Sequence, residues 1–185
     1  RSLVRGIPSL PFFAMTVASI SHDSTTQHSW QNGISASPPL PSPMTPTGDM
    51  SSWQQPEVIK ACLSGSRIAV VGLSSNPARP SHGVAAYLLQ AGFDVVPVNP
   101  REDAILGLPC YPDLASVPGT IDLVDVFRQS NAVLAIAESA IAVGAKGLWL
   151  QLGVFHPTAL RLAEDAGLNC VADLCTKIEH ARLQG

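Results

Sequence analysis

From residue 56 onward the chain alternates between two kinds of segment. Five short runs are apolar almost throughout: Arg67–Leu73, Asp94–Val98, Ile121–Phe127, Gly147–Leu152 and Asn169–Ala172. Near-continuous apolar runs of this length predict strands covered on both faces of a parallel sheet. The segments between them predict helices at Pro56–Leu63, Ser81–Ala91, Asp113–Val117, Ser130–Val143 and Pro157–Ala166. Pro56 suits a first helical position, and Gly92, Gly144 and Gly167 offer left-handed stops. Strands alternating with helices need right-handed crossovers. The predicted fold is therefore α/β: a Rossmann-like, doubly wound, five-stranded, mainly parallel sheet with helices on both faces.

Residues 1–49 break this pattern. They are rich in Ser, Thr and Pro, and the stretch Ser35–Pro46 holds five of the sixteen prolines. Such a segment can extend neither a helix nor a ladder and buries too little to offset its ordering entropy. It is expected to be a disordered extension, with residues 50–185 as the folded domain. The apolar patch Pro8–Ile20, preceded by Arg1 and Arg5, faintly resembles a targeting segment, but its prolines argue against one. The plainer reading is a natural start at Met15 or Met50 with an upstream extension before it.

Composition narrows the function classes. Apolar residues make up 46% of the chain, enough for a packed core. A net charge of −3 gives no support for a nucleic-acid partner, which demands a basic face. No apolar run reaches the roughly 18 residues of a membrane helix, so no membrane partner is expected. The cysteines Cys62, Cys110, Cys170 and Cys175 form no C-x-x-C pair and show no metal spacing. They read as reduced thiols of a cytoplasmic protein.

In a doubly wound sheet, ligands sit outside the carboxyl ends of the strands, where the strand order reverses. The first strand runs into Gly72, Ser74, Ser75, Asn76, Arg79 and Ser81, a loop of donors that opens a helix and suits a phosphate. The second ends at Asn99, Pro100 and Arg101, the third at Arg128, the fourth at Gln151 and Gly153, and the fifth at Asp173-Leu174-Cys175. An NAD site normally has an acid after the second strand. Here a cation stands there instead, which suits NADP or the 3′-phosphate of coenzyme A. No glycine follows Gly72 until Gly83, so the dinucleotide spacing is missing and coenzyme A fits better.

Each candidate also has a structural reading. Arg79 and Arg101 are phosphate partners or solvated loop cations, the latter beside Glu102 and Asp103. Asn99 bonds the adenosine or fixes its own turn. Arg128 meets the ligand or pairs with Asp122 or Asp125. Ser130 reads as a helix cap, His82 as a surface histidine, His156 as a helix start and Trp149 as core. Cys175 lacks an adjacent base other than His180, so a structural thiol is favoured over a nucleophile.

Together, Val71–Ser81, Val98-Asn-Pro100, Ile121–Arg128, Leu148–Val154 and Asp173-Leu-Cys175 resemble the small bacterial CoA-binding proteins. That family is similar to the CoA-binding domain of the succinyl-CoA synthetase α subunit. The resemblance spans about residues 56–183 and departs at Leu174, where the family usually carries Arg. It implies a domain that binds coenzyme A or an acyl-CoA by its nucleotide end, with no settled catalytic activity. Other readings are an NADP-dependent reductase, an acyl-CoA ligase-type subunit, or an interaction module that binds no ligand. Two partner states are open, a homodimer or a complex with an unknown enzyme.

Overall fold

Each apolar run becomes a parallel strand because helices cover both of its faces. The computed structural model describes residues 49–185. The expected disordered extension and the Pro8–Ile20 patch lie outside the described residues, apart from Asp49, whose side chain caps a 3-10 turn at Met50–Trp53. Then follow α1 (Pro56–Leu63), β1 (Arg67–Val71), α2 (Pro80–Gln90), β2 (Asp94–Val98), β3 (Ala104–Ile105) and β4 (Leu108–Pro109). The second half holds β5 (Leu123–Val126), α3 (Val133–Ala142), β6 (Gly147–Leu150), α4 (Pro157–Asp165), β7 (Asn169–Val171) and α5 (Thr176–Gln184).

The main sheet has the order β2-β1-β5-β6-β7, with all neighbours parallel. The chain steps outward from β1 to β2 and then crosses back to β5 on the other side of β1. The strand order thus reverses between β1 and β5, which is where the carboxyl ends open a crevice. Alternate residues of each strand feed two cores. On one face Ala69, Val96, Val124, Val126, Leu148 and Leu150 pack with Ala137 of α3 and Leu160 of α4. On the other, Ile68, Val70, Val95, Leu123 and Trp149 pack with Ile59 of α1 and Leu88 of α2.

The differences from the sequence expectations are local. Asp113–Val117 is a turn rather than a helix: the Asp113 carboxylate accepts from Ser116 N at 2.8 Å and Ser116 Oγ at 2.7 Å. Ser130 does not cap α3. It opens a 3-10 turn, Ser130–Ala132, and its Oγ accepts from Phe155 N at 3.2 Å. The helix α5 is additional, and its sequence hides it because only Thr176 and Glu179 are buried, which leaves no apolar stripe. The β3–β4 hairpin is also additional, its tight turn made by Leu106 at φ 54° and Gly107 at φ 76°.

Candidate functional site

The turn after β1 brings its neighbours very close. Gly72 has φ 85°, and its N–H donates to Val98 O at 2.9 Å. A Cβ at this position would lie 2.7 Å from Arg128 Cδ and 3.0 Å from Phe127 O. Only glycine lets the end of β5 approach so closely. Beyond it, Ser81 Oγ accepts from Ser74 N at 3.2 Å, and Asn76 Oδ1 accepts from Ala78 N at 2.9 Å. Pro80 takes the first position of α2, after Arg79 in extended conformation. The loop is braced from within and holds Arg79 at the mouth of the crevice.

A cleft of about 570 Å³ opens there. Eight of the expected residues line it: Gly72, Ser74, Arg79, Ser81, Arg128, Gln151, Gly153 and Cys175. Phe127, Val84 and Leu152 complete its apolar wall, and sequence reasoning had not singled them out. Beside it lies a hollow of about 450 Å³ bordered by Arg79, Arg101 and Arg128. On the far side of Gly72 and Arg128, a hollow of about 290 Å³ is lined by Val98, Pro100, Pro112, Leu114 and Ile136. Arg128 borders all three spaces.

Among the described residues, the three ion pairs are Arg67–Asp94, Lys146–Asp122 and Arg182–Glu179. None involves Arg79, Arg101 or Arg128. The alternative pairing of Arg128 with Asp122 or Asp125 is therefore not what forms. A hydrogen bond from Lys146 holds the Asp122 carboxyl down to about 2. Glu102, beside Arg101, instead accepts from Ser75 Oγ at 2.8 Å. Converging cations with no carboxylate partner among the described residues keep a positive potential that favours an anion.

Three expected residues line none of these spaces: Ser75, Asn76 and Asn99. Asn99 has the turn role among its two readings. Its Nδ2 donates to Leu73 O at 2.8 Å and its Oδ1 accepts from Arg101 N at 3.0 Å, so it ties the β1 and β2 loops together. At the other rim, Gly153 N donates to Asp173 Oδ1 at 2.6 Å, with Asp173 at φ 56°. This clamp joins the loops after β6 and β7.

The floor of the cleft is polar but sealed. Gln151 meets Asp125 and Thr176, both fully buried. Burial pushes the Asp125 carboxyl up to about 7, against the hydrogen bonds from Gln151 and Thr176 that pull it down. Sequence reasoning saw Asp125 only as a partner for Arg128; the signal available was an acid inside an otherwise apolar strand. Cys175, half-buried, precedes α5 at the cleft end. His180 is engaged elsewhere: its Nδ1 bonds Tyr87 Oη at 3.0 Å and its ring meets Phe93 edge-on. All four cysteines are free thiols, and burial pushes Cys62 up to about 12. No cluster of metal-ligating side chains and no helix able to cross a membrane occurs among the described residues.

Comparison with known proteins gives this geometry a context. A family model described as a CoA binding domain matches residues 66–181. An uncharacterized protein of Bacillus subtilis, YneT, is 36% identical over 132 residues, covering 71% of this chain and 98% of YneT. The solved structure of a hypothetical protein from Pyrococcus horikoshii is 38% identical, with a TM-score of 0.67 over 70% of this chain and 91% of that one. The ADP-forming acetate–CoA ligase II of Archaeoglobus fulgidus is 32% identical over 82 residues, which are 43% of this chain and 12% of the ligase.

Proposed function

This chain belongs to the CoA-binding domain family, and from that premise we propose that it binds coenzyme A or an acyl-CoA in the crevice between β1 and β5. The diphosphate lies against the Ser74–Ser81 loop and the start of α2, paired with Arg79 and Arg128. The adenine occupies the apolar hollow beside Pro100, Pro112 and Ile136. Arg101 answers the 3′-phosphate. The pantetheine arm runs through the larger cleft, past Gln151 and Gly153 toward Cys175.

The observation that carries this reading is the set of three arginines around one hollow, none with a carboxylate partner among the described residues. Three guanidinium groups match a ligand that bears a diphosphate and a ribose phosphate. NAD has no third phosphate for Arg101, and the end of β2 offers no acid for its ribose hydroxyls. A thermal-shift series with coenzyme A, acetyl-CoA, NAD, NADP and ATP tests the assignment. Coenzyme A and acetyl-CoA should raise the melting temperature most. A shift with NADP and none with millimolar coenzyme A would overturn it.

The likeness to part of an ADP-forming acetate–CoA ligase favours a second reading, a CoA-presenting subunit of a larger acyl-CoA enzyme. Such a partner would be recovered by affinity capture of the full chain from its native host, identified by mass spectrometry.

A further inference from the structure

Beneath the proposed pantetheine end of the cleft, three polar side chains form a closed set inside an apolar layer. Asp125 sits in the middle of β5, in register with Val70 and Trp149. Gln151 directly follows β6, and Thr176 opens α5. Gln151 Nε2 donates to Asp125 Oδ1 at 2.8 Å and to Thr176 Oγ1 at 2.8 Å. Thr176 Oγ1 in turn donates to Asp125 Oδ2 at 3.1 Å, so one hydroxyl both gives and accepts.

This arrangement sets the polarity of Gln151. At pH 8 the Asp125 carboxyl is ionised and only accepts, so the amide atom facing it must carry hydrogens. Both of those hydrogens are then engaged, and the amide oxygen is left over. Gln151 lines the cleft while only 4% exposed. Among the described residues its Oε1 has no hydrogen-bond partner. Because Gln151 lines the cleft, this oxygen is the acceptor of the set that remains for a ligand there.

We infer that Gln151 is a specificity-determining residue: its amide oxygen, oriented by Asp125 and Thr176, accepts a hydrogen bond from an amide N–H or thiol on the ligand's non-nucleotide arm. The inference rests on the coenzyme A reading, in which that arm crosses Gln151. A nucleotide without such an arm gains nothing from this residue. Asp125 touches no ligand and acts as a positioning residue.

Calorimetric titration of the full chain at pH 8 tests this with two probes. Coenzyme A carries the arm, and adenosine 3′,5′-bisphosphate has only the nucleotide end. Gln151→Met removes the amide at similar volume and should weaken coenzyme A about tenfold, the loss of one well-placed hydrogen bond. It should leave the bisphosphate within about twofold, since the nucleotide end makes no bond to Gln151. Asp125→Asn frees the amide to turn over and should also weaken coenzyme A selectively. An equal effect of Gln151→Met on both probes, or on neither, overturns the inference. Failure of the unaltered protein to bind either probe overturns the coenzyme A reading itself.

A second measurement uses the unaltered chain in case the variants do not fold. In nuclear magnetic resonance spectra, the Gln151 side-chain amide hydrogens should exchange slowly with solvent. The Gln151 Cδ resonance should move with coenzyme A and stay still with the bisphosphate. Fast exchange, or the same Cδ shift with both ligands, also overturns the assignment.

Discussion

At one end of the crevice, Arg79, Arg101 and Arg128 stand exposed on loops, with no carboxylate partner among the described residues. At the other end, Asp125, Gln151 and Thr176 are buried and hydrogen-bond one another, with only the Gln151 amide oxygen left over. The first region keeps its charge available because no described carboxylate pairs with it. The second keeps its charge hidden, and its cost is met by partners drawn from β5, β6 and α5. The exposed end therefore works through long-range attraction, which salt screens. The buried end works through fixed geometry, which salt hardly reaches. The first end should set the salt-dependent part of affinity; the second should set stability and, through Gln151, the part of affinity owed to the ligand's arm.

The largest expected effect breaks the buried end with a proton. Asp125 has its carboxyl raised to about 7 in the folded chain, above its ordinary range in the unfolded chain. The folded state then holds more protons than the unfolded state from about pH 4 to 7, so stability falls as pH rises through that window and levels off above it. Between pH 5 and 8 the fall should reach about 2–3 kcal/mol by linkage. Urea unfolding of the unaltered chain and of Asp125→Asn measures it. The variant should lack this slope, and parallel slopes in both would show that Asp125 is not its source.

Gly72 joins the two regions. Gly72→Ala places a methyl 2.7 Å from Arg128 Cδ in a left-handed backbone. It should cost roughly 2 kcal/mol of stability, the sum of strain and displacement. The same variant should also weaken coenzyme A, because Arg128 must move; an unchanged affinity would separate Arg128 from the site.

Arg79→Ala addresses the exposed end alone. Coenzyme A should bind about tenfold more weakly, and the remaining affinity should be less salt-dependent. The urea midpoint should not change. A variant that loses stability as well would mean that Arg79 braces the loop rather than the ligand. The smallest effect comes from Lys146→Ala, distant from both regions. Its side chain is 72% exposed where it meets Asp122, so the loss should stay below about 1 kcal/mol after solvent screening. Coenzyme A affinity should be untouched.

Much of this architecture is legible in the chain because burial on both faces leaves a local mark. The runs around Ala69, Val96, Val124 and Leu148 are apolar on successive residues, which only a strand with two covers requires. The loop after β1 and the acid-free end of β2 are legible for the same reason, since each is one contiguous segment. The helix α5 is not legible, because it meets the core through a threonine and a glutamate. The exact duty of Asn99 is also hidden: its bond to Leu73 O depends on how close two loops come after folding.

By itself the sequence determined the parallel α/β fold, the strand ends that form the rim, and the cations on it. These are properties of short segments, set by side-chain periodicity and turn chemistry. Only the tertiary structure decided what each polar group faces. Asp125 and Arg128 are three residues apart, yet Asp125 bonds Gln151 and Thr176, which lie 26 and 51 positions further along. The strand order β1-β5-β6, with α5 packed behind, makes those partners neighbours, and it leaves Arg128 to the crevice. Hydrophobic burial chooses elements locally. Hydrogen-bond satisfaction in a dry interior is settled by which elements meet.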